Sequence, residues 1–487
     1  MTKIGRGFLS FCAALAVLLL ANGSFAGETD RAQWIKLGDG QMEAGKYADA
    51  VFSFTTALAK GEDTAEFRAK RGWAQYMQGS YKVALFDYDE AIKKAPANAA
   101  YYNERGLIHH ALADYGLAIA DFRQSLKLNK TDAVVWANRA ESYIRSGDRE
   151  KAGRDLDQAL SLDPNFTSAR LQKAWLLINE KQPEKALLEL SAIESTTTPD
   201  ISFLEARAHA RLALADWKGA SADADSAITI DQQYDWPYLI RTQARRWLGD
   251  YEGSLADADR LLVRNRSNMW AMIERAMTLQ FLGRTDAALA EMDRAIQEKI
   301  DPEQGWRMRA FLNFNAGKMK AALDDARQSA TLKPKSPYAV ARLGWAFVEN
   351  GEAAQGEAEC GKALTLAETL DAYSCRATAR LLLKKFKAAR KDAERARDLD
   401  KSVGIGPFLI GRVDLAQGNP DKALAQFDQA AKLNMYNQAG LLMYRGDAEK
   451  ARGNMELART HYQTARKFDF GRYSQALDER LASLPAQ

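Results

Sequence analysis

Residues 133–166 read AVVWANRAESYIRSGDREKAGRDLDQALSLDPNF, and this pattern predicts two short helices joined by a tight turn. Gly147 and Asp148 form the turn, because both residue types interrupt helices. Pro164 closes the unit, since proline has no N–H with which to continue a helix. Apolar residues recur at helical spacing on both sides of the turn: Trp136, Ala140 and Tyr143 before it, and Ala152, Leu156 and Ala159 after it. The alanines let two helix backbones approach closely, and the larger residues fill the gaps beside them.

This unit recurs along nearly the whole chain with a period of 34 residues. One position of the first helix holds a small residue in nine successive units: Gly72, Gly106, Ala140, Ala174, Ala208, Thr242, Ala276, Ala310 and Gly344. One position of the second helix holds alanine in the same way: Ala50, Ala84, Ala118, Ala152, Ala186 and Ala220. Small residues at one phase on both helices predict an array of helical repeats, in which each helix pair stacks on the next.

The pattern resembles the tetratricopeptide repeat, whose motif runs W-x2-L-G-x2-Y and then Ala, Phe, Ala and Pro. The fourth repeat matches with Trp136, Arg139, Ala140, Tyr143, Ala152, Leu156, Ala159 and Pro164. The ninth matches with Trp306, Ala310, Gly317, Ala322, Ser329 and Pro334. The resemblance implies an all-α protein. The expected fold is a right-handed α-solenoid of about thirteen helix-turn-helix units, with the first helices lining its inner face.

The repeats predict one elongated domain over residues 31–472. Ten repeats run in phase up to residue 369, and three more begin at residues 370, 404 and 439. Residues 27–30 precede the array, and residues 473–487 follow it as a capping helix and tail. Three leucines share one face of that helix, and they would cover the apolar end that a terminal repeat exposes to water.

Residues 1–26 have the features of a cleaved signal peptide. Lys3 and Arg6 form a basic start, an apolar run follows from Phe8 to Ala21, and Ala26 ends a small-x-small cleavage site. The mature chain would then begin at residue 27 in the periplasm or outside the cell. An uncleaved anchor is the alternative, although the apolar run is shorter than the roughly 20 residues of a spanning helix. Processing would leave no stable membrane span.

Charge and composition argue against a nucleic-acid ligand. The formal net charge is +4, and it falls to +2 when Lys3 and Arg6 are removed with the signal peptide. Acidic and basic residues interleave along the helices, as on a solvated face. The sequence therefore has no basic stripe of the kind that follows a phosphate backbone.

Two charged positions recur with the repeat. Counted from the first residue of each repeat, position 7 is basic in Arg71, Arg105, Arg139, Lys173, Arg207, Arg241, Arg275, Arg309, Arg376 and Arg445. Position 23 is acidic in Asp87, Asp121, Asp155, Glu189, Asp223, Asp257, Glu291, Asp325, Glu359 and Asp392. Repeats 1 and 12 lose both charges together, which predicts ion pairs between the two helices of one repeat. The alternative is a row of arginines that binds phosphate or sulfate.

A second stripe of large residues lies on the first helices, at positions 2, 5, 9 and 12 and away from the expected core. Six tryptophans fall on or beside it: Trp73, Trp175, Trp236, Trp247, Trp270 and Trp345. Other residues predicted to join them in a concave groove are Leu239, Arg246, Met277, Arg307, Phe311 and Phe314. A groove this apolar predicts a binding surface. The alternative is that neighbouring repeats bury these rings against each other.

The resemblance implies an extended or helical peptide, or a partner protein, as the ligand of this groove. Tryptophan rings also stack on sugars, so a polysaccharide is the alternative ligand. Some exported members of the family serve exopolysaccharide secretion or envelope assembly. With a peptide or protein as its ligand, the chain would be a non-enzymatic protein-protein interaction scaffold of the cell envelope.

The sequence indicates neither an enzyme nor a cofactor. Catalysis requires several convergent groups of matched acidity. The histidines have no metal-binding spacing, and no glycine-rich phosphate loop follows a strand.

Cys360 and Cys375 lie on consecutive helices, about equally far from the turn between them. They can form a disulfide in an oxidising compartment; otherwise they are two small buried residues.

Overall fold

The computed structural model describes residues 28–61, 63–194, 199–433, 435 and 437–485, with side chains from residue 31 onward. These residues form 27 α-helices and no strand, which confirms the predicted all-α fold. The predicted signal peptide, residues 1–26, lies outside the described residues, as do residue 27 and the last two residues of the tail.

The chain divides into two units between Leu176 and Leu177. The N-terminal unit contains α1 Glu28–Glu43, α2 Tyr47–Ala59, α3 Ala65–Met77, α4 Tyr81–Lys94, α5 Ala99–Ala111, α6 Tyr115–Leu128, α7 Ala133–Ser146, α8 Arg149–Leu162 and the greater part of α9 Thr167–Asn179. The C-terminal unit continues with α10 Pro183–Glu194, α11 Ile201–Ala213, α12 Trp217–Ile230, α13 Trp236–Leu248, α14 Tyr251–Arg264, α15 Met269–Phe281, α16 Thr285–Gln297, α17 Pro302–Asn315 and α18 Met319–Leu332. It ends with α19 Pro337–Glu349, α20 Ala353–Leu366, α21 Leu370–Leu382, α22 Phe386–Leu399, α23 Ile405–Ala416, α24 Pro420–Ala431, α25 Gln438–Ala451, α26 Met455–Arg466 and α27 Ser474–Ala482.

The helices form thirteen consecutive helix-turn-helix pairs followed by α27, so the predicted repeat architecture is confirmed. The turn between α7 and α8 shows how each pair is made. Gly147 ends α7 with a φ of 90°, a left-handed conformation that glycine adopts without strain. Asp148 then begins α8, because its carboxylate accepts a hydrogen bond from the Lys151 backbone N–H at 3.2 Å.

The recurrent small residue of the first helix is matched in size by a residue of the second. A Cβ added at Gly72 would lie 2.9 Å from the Tyr88 ring, which is too close for ordinary packing. The same fit of glycine to an aromatic ring sixteen residues later joins Gly38 to Phe54, Gly106 to Phe122, Gly411 to Phe427 and Gly446 to Tyr462. Where the first helix has Ala208, the second has only Ala224 in the same cluster. The volume between the two helices is thus kept filled.

The predicted ion pairs join the two helices of one repeat in eight repeats, and we call these eight pairs the ladder. Arg139 Nε and Nη2 donate to the two oxygens of Asp155 at 2.7 and 2.8 Å. The same pairing of positions 7 and 23 joins Arg71 to Asp87, Arg105 to Asp121, Arg207 to Asp223, Arg241 to Asp257, Arg275 to Glu291, Arg309 to Asp325 and Arg376 to Asp392. These arginines are occupied by carboxylates, so the alternative of a phosphate-binding row is wrong for them.

A second carboxylate, not predicted from the repeat pattern, joins consecutive repeats. Arg105 Nη1 also donates to Asp89, at position 25 of the preceding repeat, at 2.7 Å. The same link joins Lys173 to Asp157, Arg241 to Asp225, Arg275 to Asp259, Arg309 to Asp293 and Arg445 to Asp428. The hydrogen bond to Asp121 is the main reason that the pKa of Arg105 lies above its ordinary value. Each such cation therefore ties together the helices of two repeats.

A disulfide joins Cys360 on α20 to Cys375 on α21. Their Cα atoms lie 6.0 Å apart, within the usual range for a disulfide. Both residues are fully buried, and Gly344 on α19 leaves the space that the sulfur atoms fill. The bond therefore holds two consecutive repeats together. In the first of them the usual ion pair lacks its basic member, because Leu343 stands at position 7.

The last helix, α27, covers the end of the array as the capping prediction requires. Leu477 and Leu484 are buried in one cluster with Met443 and Tyr462 of the last repeat. Leu481 packs at the edge of the same cluster. The apolar face of the last helix pair is thereby removed from water.

The chain between α26 and α27, residues 468–473, folds back onto much earlier repeats of the C-terminal unit; we call it the return segment. Its Arg472 backbone N–H donates to the Asn315 carbonyl at 3.1 Å. The Arg472 guanidinium donates to Glu349 at 2.9 Å. The Gly471 carbonyl packs closely on Gly317, since a Cβ added at Gly317 would lie 2.6 Å from the Gly471 carbonyl oxygen. These contacts join residues more than one hundred positions apart.

In the part of the chain that the structure describes, no helix is both long enough and apolar enough to cross a membrane.

We predict that Asp155→Ala lowers the free energy of unfolding of the N-terminal unit by about 3–5 kcal/mol, because it leaves the buried Arg139 cation without its partner. Asp157→Ala is the matched control. Asp157 is 64% exposed against 7% for Asp155, so its loss costs about 1 kcal/mol or less. Urea unfolding of both variants measures the difference. Equal midpoints for the two variants would contradict the structural role of the ladder.

We predict that Gly471→Ala detaches the return segment, because an alanine Cβ would lie 2.8 Å from the Ala316 carbonyl oxygen. Gly453→Ala is the control: Gly453 also has a positive φ, of 85°, but open space around it. Amide hydrogen exchange of residues 468–473 should become about tenfold faster only in Gly471→Ala. Equal acceleration in both variants would mean that the return segment owes nothing to this contact.

Candidate functional site

Four of the predicted groove residues meet in the C-terminal unit, where Trp247, Phe311, Phe314 and Trp345 line a cavity of about 390 Å³. Phe311 and Phe314 lie one turn apart on α17, and Trp345 occupies the same phase as Phe311 one repeat later, on α19. The repeat period therefore places the three rings side by side. The cavity falls in the size range of ligand-binding pockets.

Rings from distant parts of the unit complete the cavity. Trp247 comes from α13, Phe408 from α23 and Tyr473 from the return segment. Trp345 is held in place, because its Nε1–H donates to Asp371 Oδ1 at 2.8 Å. Burial raises the pKa of Tyr473 to about 12, so its hydroxyl stays neutral and accepts a hydrogen bond from Asn437 at 2.7 Å.

Three guanidinium groups also line this aromatic cavity: those of Arg342, Arg412 and Arg472. Arg342 lies over the Phe311 ring, 5.2 Å from its centroid. Arg472 lies over Phe314 at 3.8 Å and closes one side. Arginine over an aromatic ring gains a cation–π attraction and stiffens the wall. The cavity thus has mainly apolar walls, with three guanidinium groups and the carboxylate of Asp371 among its lining.

Four other predicted groove residues are used in packing, and their assignment to an open groove is corrected. Met277 belongs to a buried cluster, and Leu239 packs against a neighbouring one. Arg246 is buried and paired with Glu274 at 2.6 Å. Trp236 is half-buried in a cluster between α11 and α13. The physical reason is that adjacent first helices pack against each other through part of the second stripe. This was the alternative prediction, in which neighbouring repeats bury these side chains.

Three further predicted residues lie outside the cavity: Trp270 and Arg307 in the C-terminal unit, and Trp175 in the N-terminal unit. Trp270 is 62% exposed at the start of α15. Arg307 pairs with Glu303 on its own helix at 3.3 Å. Trp175 is half-buried on α9. The structure therefore does not bring all twelve predicted residues into one groove.

Arg412, Arg472 and Tyr473 line the cavity but were missed in the sequence. Arg412 does not follow the repeat pattern, because the other repeats have no arginine at its position. Arg472 and Tyr473 reach the cavity through the return segment, and neither follows the repeat pattern. A clue was the loss of both charges in repeat 12, which leaves Arg412 as a cation outside the ladder.

The N-terminal unit has a cavity of its own, of about 720 Å³, beside Trp73. The Trp73 ring stacks on Tyr76, with 4.9 Å between the centroids. Four carboxylates and one lysine line this cavity: Asp39, Glu43, Glu66, Glu104 and Lys70. Burial raises the pKa of Glu104 to about 6.

The histidines are partly or largely buried, and burial lowers the pKa of each: His109, His110, His209 and His461. His110 Nδ1 lies 2.8 Å from the Ser142 hydroxyl, a contact within the N-terminal unit. Among the residues that the structure describes, no group of three or more His, Cys, Asp or Glu is placed to hold a metal ion.

We predict that Glu104→Gln stabilises the N-terminal unit at pH 7 by about 1–2 kcal/mol. The folded pKa of Glu104 is about 6, above its ordinary value of 4.5. The unfolded chain therefore ionises first, and the parent loses stability as the pH rises through this window. Thermal unfolding at pH 4.5 and pH 7 measures the effect. Glu150→Gln, at an 83% exposed side chain, should show no such gain; a similar gain in both would refute the assignment.

The comparisons with known proteins agree with this architecture. Two family models, each described as Tetratricopeptide repeat, match the chain: one at residues 35–91, 81–133 and 408–476, and the other at residues 108–220. Together they cover just over half of the chain. No curated protein matches it.

Solved structures that match this chain include one chain of the APC/C hetero-tetramer Cut9–Hcn1, at 12% identity, covering 93% of this chain and 96% of that one with a TM-score of 0.43. Yeast Tom70 is 15% identical over 93% of this chain and 99% of its own, again with a TM-score of 0.43. A tetratricopeptide repeat protein of Parabacteroides merdae is 17% identical over 58% and 99%, with a TM-score of 0.40.

The sequence period, the thirteen helix pairs and the two matching family models lead to one conclusion: this chain belongs to the tetratricopeptide repeat family.

Proposed function

We propose that this protein is a non-enzymatic scaffold of the cell envelope that binds a segment of a partner protein in the aromatic cavity of its C-terminal unit. Tetratricopeptide repeat proteins generally act as protein-interaction scaffolds. The observation that carries the proposal is the convergence of Phe311, Phe314 and Trp345 on one cavity of about 390 Å³. Aromatic residues around a desolvated pocket are the usual anchors of a protein interface.

The size of the cavity limits what can enter it. It accommodates one large side chain of a partner, or two small ones, rather than a folded surface. The rest of the partner segment would then lie outside, along the first helices. Trp345 and its hydrogen bond to Asp371 give the cavity a rigid wall, and a rigid wall lowers the entropic cost of binding.

The envelope location rests on the signal-peptide pattern of residues 1–26. The Cys360–Cys375 disulfide supports it, because disulfides persist in oxidising compartments such as the periplasm. Mass spectrometry of the protein from a periplasmic extract should find a chain that begins at residue 27.

A polysaccharide-associated role in exopolysaccharide secretion or envelope assembly is the second candidate function. The observation in its favour is Trp270, which is 62% exposed and does not line the cavity. An exposed indole face can stack on a sugar ring. Such binding would quench tryptophan fluorescence and would be lost in Trp270→Ala.

The proposed function predicts that capture of a partner from envelope extract depends on the cavity. Phe311→Leu/Trp345→Leu removes two aromatic walls and should reduce recovery of the partner about tenfold or more. Val263→Ala/Leu332→Ala is the matched control, since it removes two apolar side chains that are 88% and 52% exposed and do not line the cavity. Thermal unfolding establishes that both variants are folded. Equal recovery with the parent and both variants would reject the cavity as the binding site.

A further inference from the structure

We propose that the ligand of this cavity carries a carboxylate beside its apolar group, and that Arg412 and Ser374 bind the carboxylate. The inference rests on the proposed function, because it concerns the same cavity. It adds the chemical class of the ligand, which can be a free aromatic or aliphatic acid or an acidic group of a partner chain.

Arg412 is a cation without an anion. In the part of the chain that the structure describes, its guanidinium forms no ion pair and donates no hydrogen bond, and its Nε is buried without a partner. It is held in place by rings: its guanidinium carbon lies 4.6 Å from the centroid of Tyr444 and 5.6 Å from that of Phe408. A fixed and partly dehydrated guanidinium binds a carboxylate strongly.

The nearby acidic groups are already engaged. Asp414, on the same helix as Arg412, is paired with Arg390. Glu349 is paired with Arg472. Asp371 is the one carboxylate among the described residues that line the cavity, and it accepts the hydrogen bond of Trp345. None of these three carboxylates is therefore paired with Arg412.

Ser374 supplies a second polar group that lacks a partner. It is 2% exposed, it lines the cavity, and its Oγ has no hydrogen-bond partner among the described residues. Buried hydroxyl groups in native proteins are almost always hydrogen-bonded. Ser374 lies on α21 and Arg412 on α23, the first helices of adjacent repeats, which contact each other. A carboxylate in the cavity can accept from both.

The walls select a carboxylate with an apolar group attached. Aromatic rings surround the guanidinium, so a strongly hydrated dianion such as inorganic phosphate would lose its water without enough new donors. A carboxylate matches the fork of one arginine with two parallel hydrogen bonds. The apolar group attached to it would fill the space beside Phe311, Phe314 and Trp345.

The experiment compares two small probes of nearly equal size, 4-phenylbutyrate and the uncharged 4-phenylbutanamide. Titration calorimetry and the fluorescence of Trp247 and Trp345 report binding to the full chain. We expect the acid to bind at least tenfold more tightly than the amide, as one charge-assisted hydrogen bond requires. Arg412→Met should abolish this preference. Lys422→Met, which removes an exposed charge on α24 outside the cavity, should leave it unchanged.

Ser374→Ala is the second test, because it deletes a buried hydroxyl that has no partner and should leave the fold intact. It should weaken the acid about tenfold and the amide less, because an ionised carboxylate is a stronger acceptor than an amide carbonyl. Equal affinity for acid and amide, or binding of neither probe, would overturn the inference. If capture of a partner still depended on Phe311 and Trp345, the proposed function would stand without it.

The same titration with two hexapeptides ending in phenylalanine separates the sources of the carboxylate. Tighter binding of the peptide with a free terminus than of its amidated form would assign the carboxylate to a chain end. A preference for 4-phenylbutyrate over both peptides would assign it to a free acid.

Discussion

The largely buried ion pair that joins the two helices of a repeat, present in eight repeats, is the interaction on which the rest of the structure depends. The helices are short and alanine-rich, and apolar packing alone would accept several alignments of such similar surfaces. A paired arginine and carboxylate accept only one, since either partner left alone would be a buried charge. The link from Arg105 to both Asp121 and Asp89 extends this constraint from one repeat to the next. We infer that the ladder contributes more to the register of the stacked helices than to their free energy of unfolding.

That register determines where the large residues of the first helices point. Phe311 and Trp345 have the same phase one repeat apart, so an aligned stack places both rings in one cavity. The return segment then closes the cavity from the opposite end of the unit, with Arg472 over Phe314. Regular repeats thus supply most of the residues that line the cavity, and the return segment supplies Arg472 and Tyr473. Function would lie at the junction between the two.

Much of this could be predicted from the sequence, because a period repeated many times averages out local exceptions. The helix pairs, the capping helix and the pairing of Arg139 with Asp155 all followed from position within the repeat. Arg246 was misplaced in the groove, because its helix face is shared with a neighbour that carries Glu274. The return segment could not be predicted, since Arg472 and Glu349 are far apart in sequence and neither belongs to the pattern.

The central claim is that the aromatic cavity of the C-terminal unit is the binding site. Site-specific photo-crosslinking in living cells tests it most directly, with benzoylphenylalanine replacing Phe311 in the cavity or Val263 on the outer surface. We expect a discrete crosslinked product from position 311 and none from position 263, which is 88% exposed. Crosslinks from position 263 alone, or from neither position, would contradict the account and return these rings to a purely structural role.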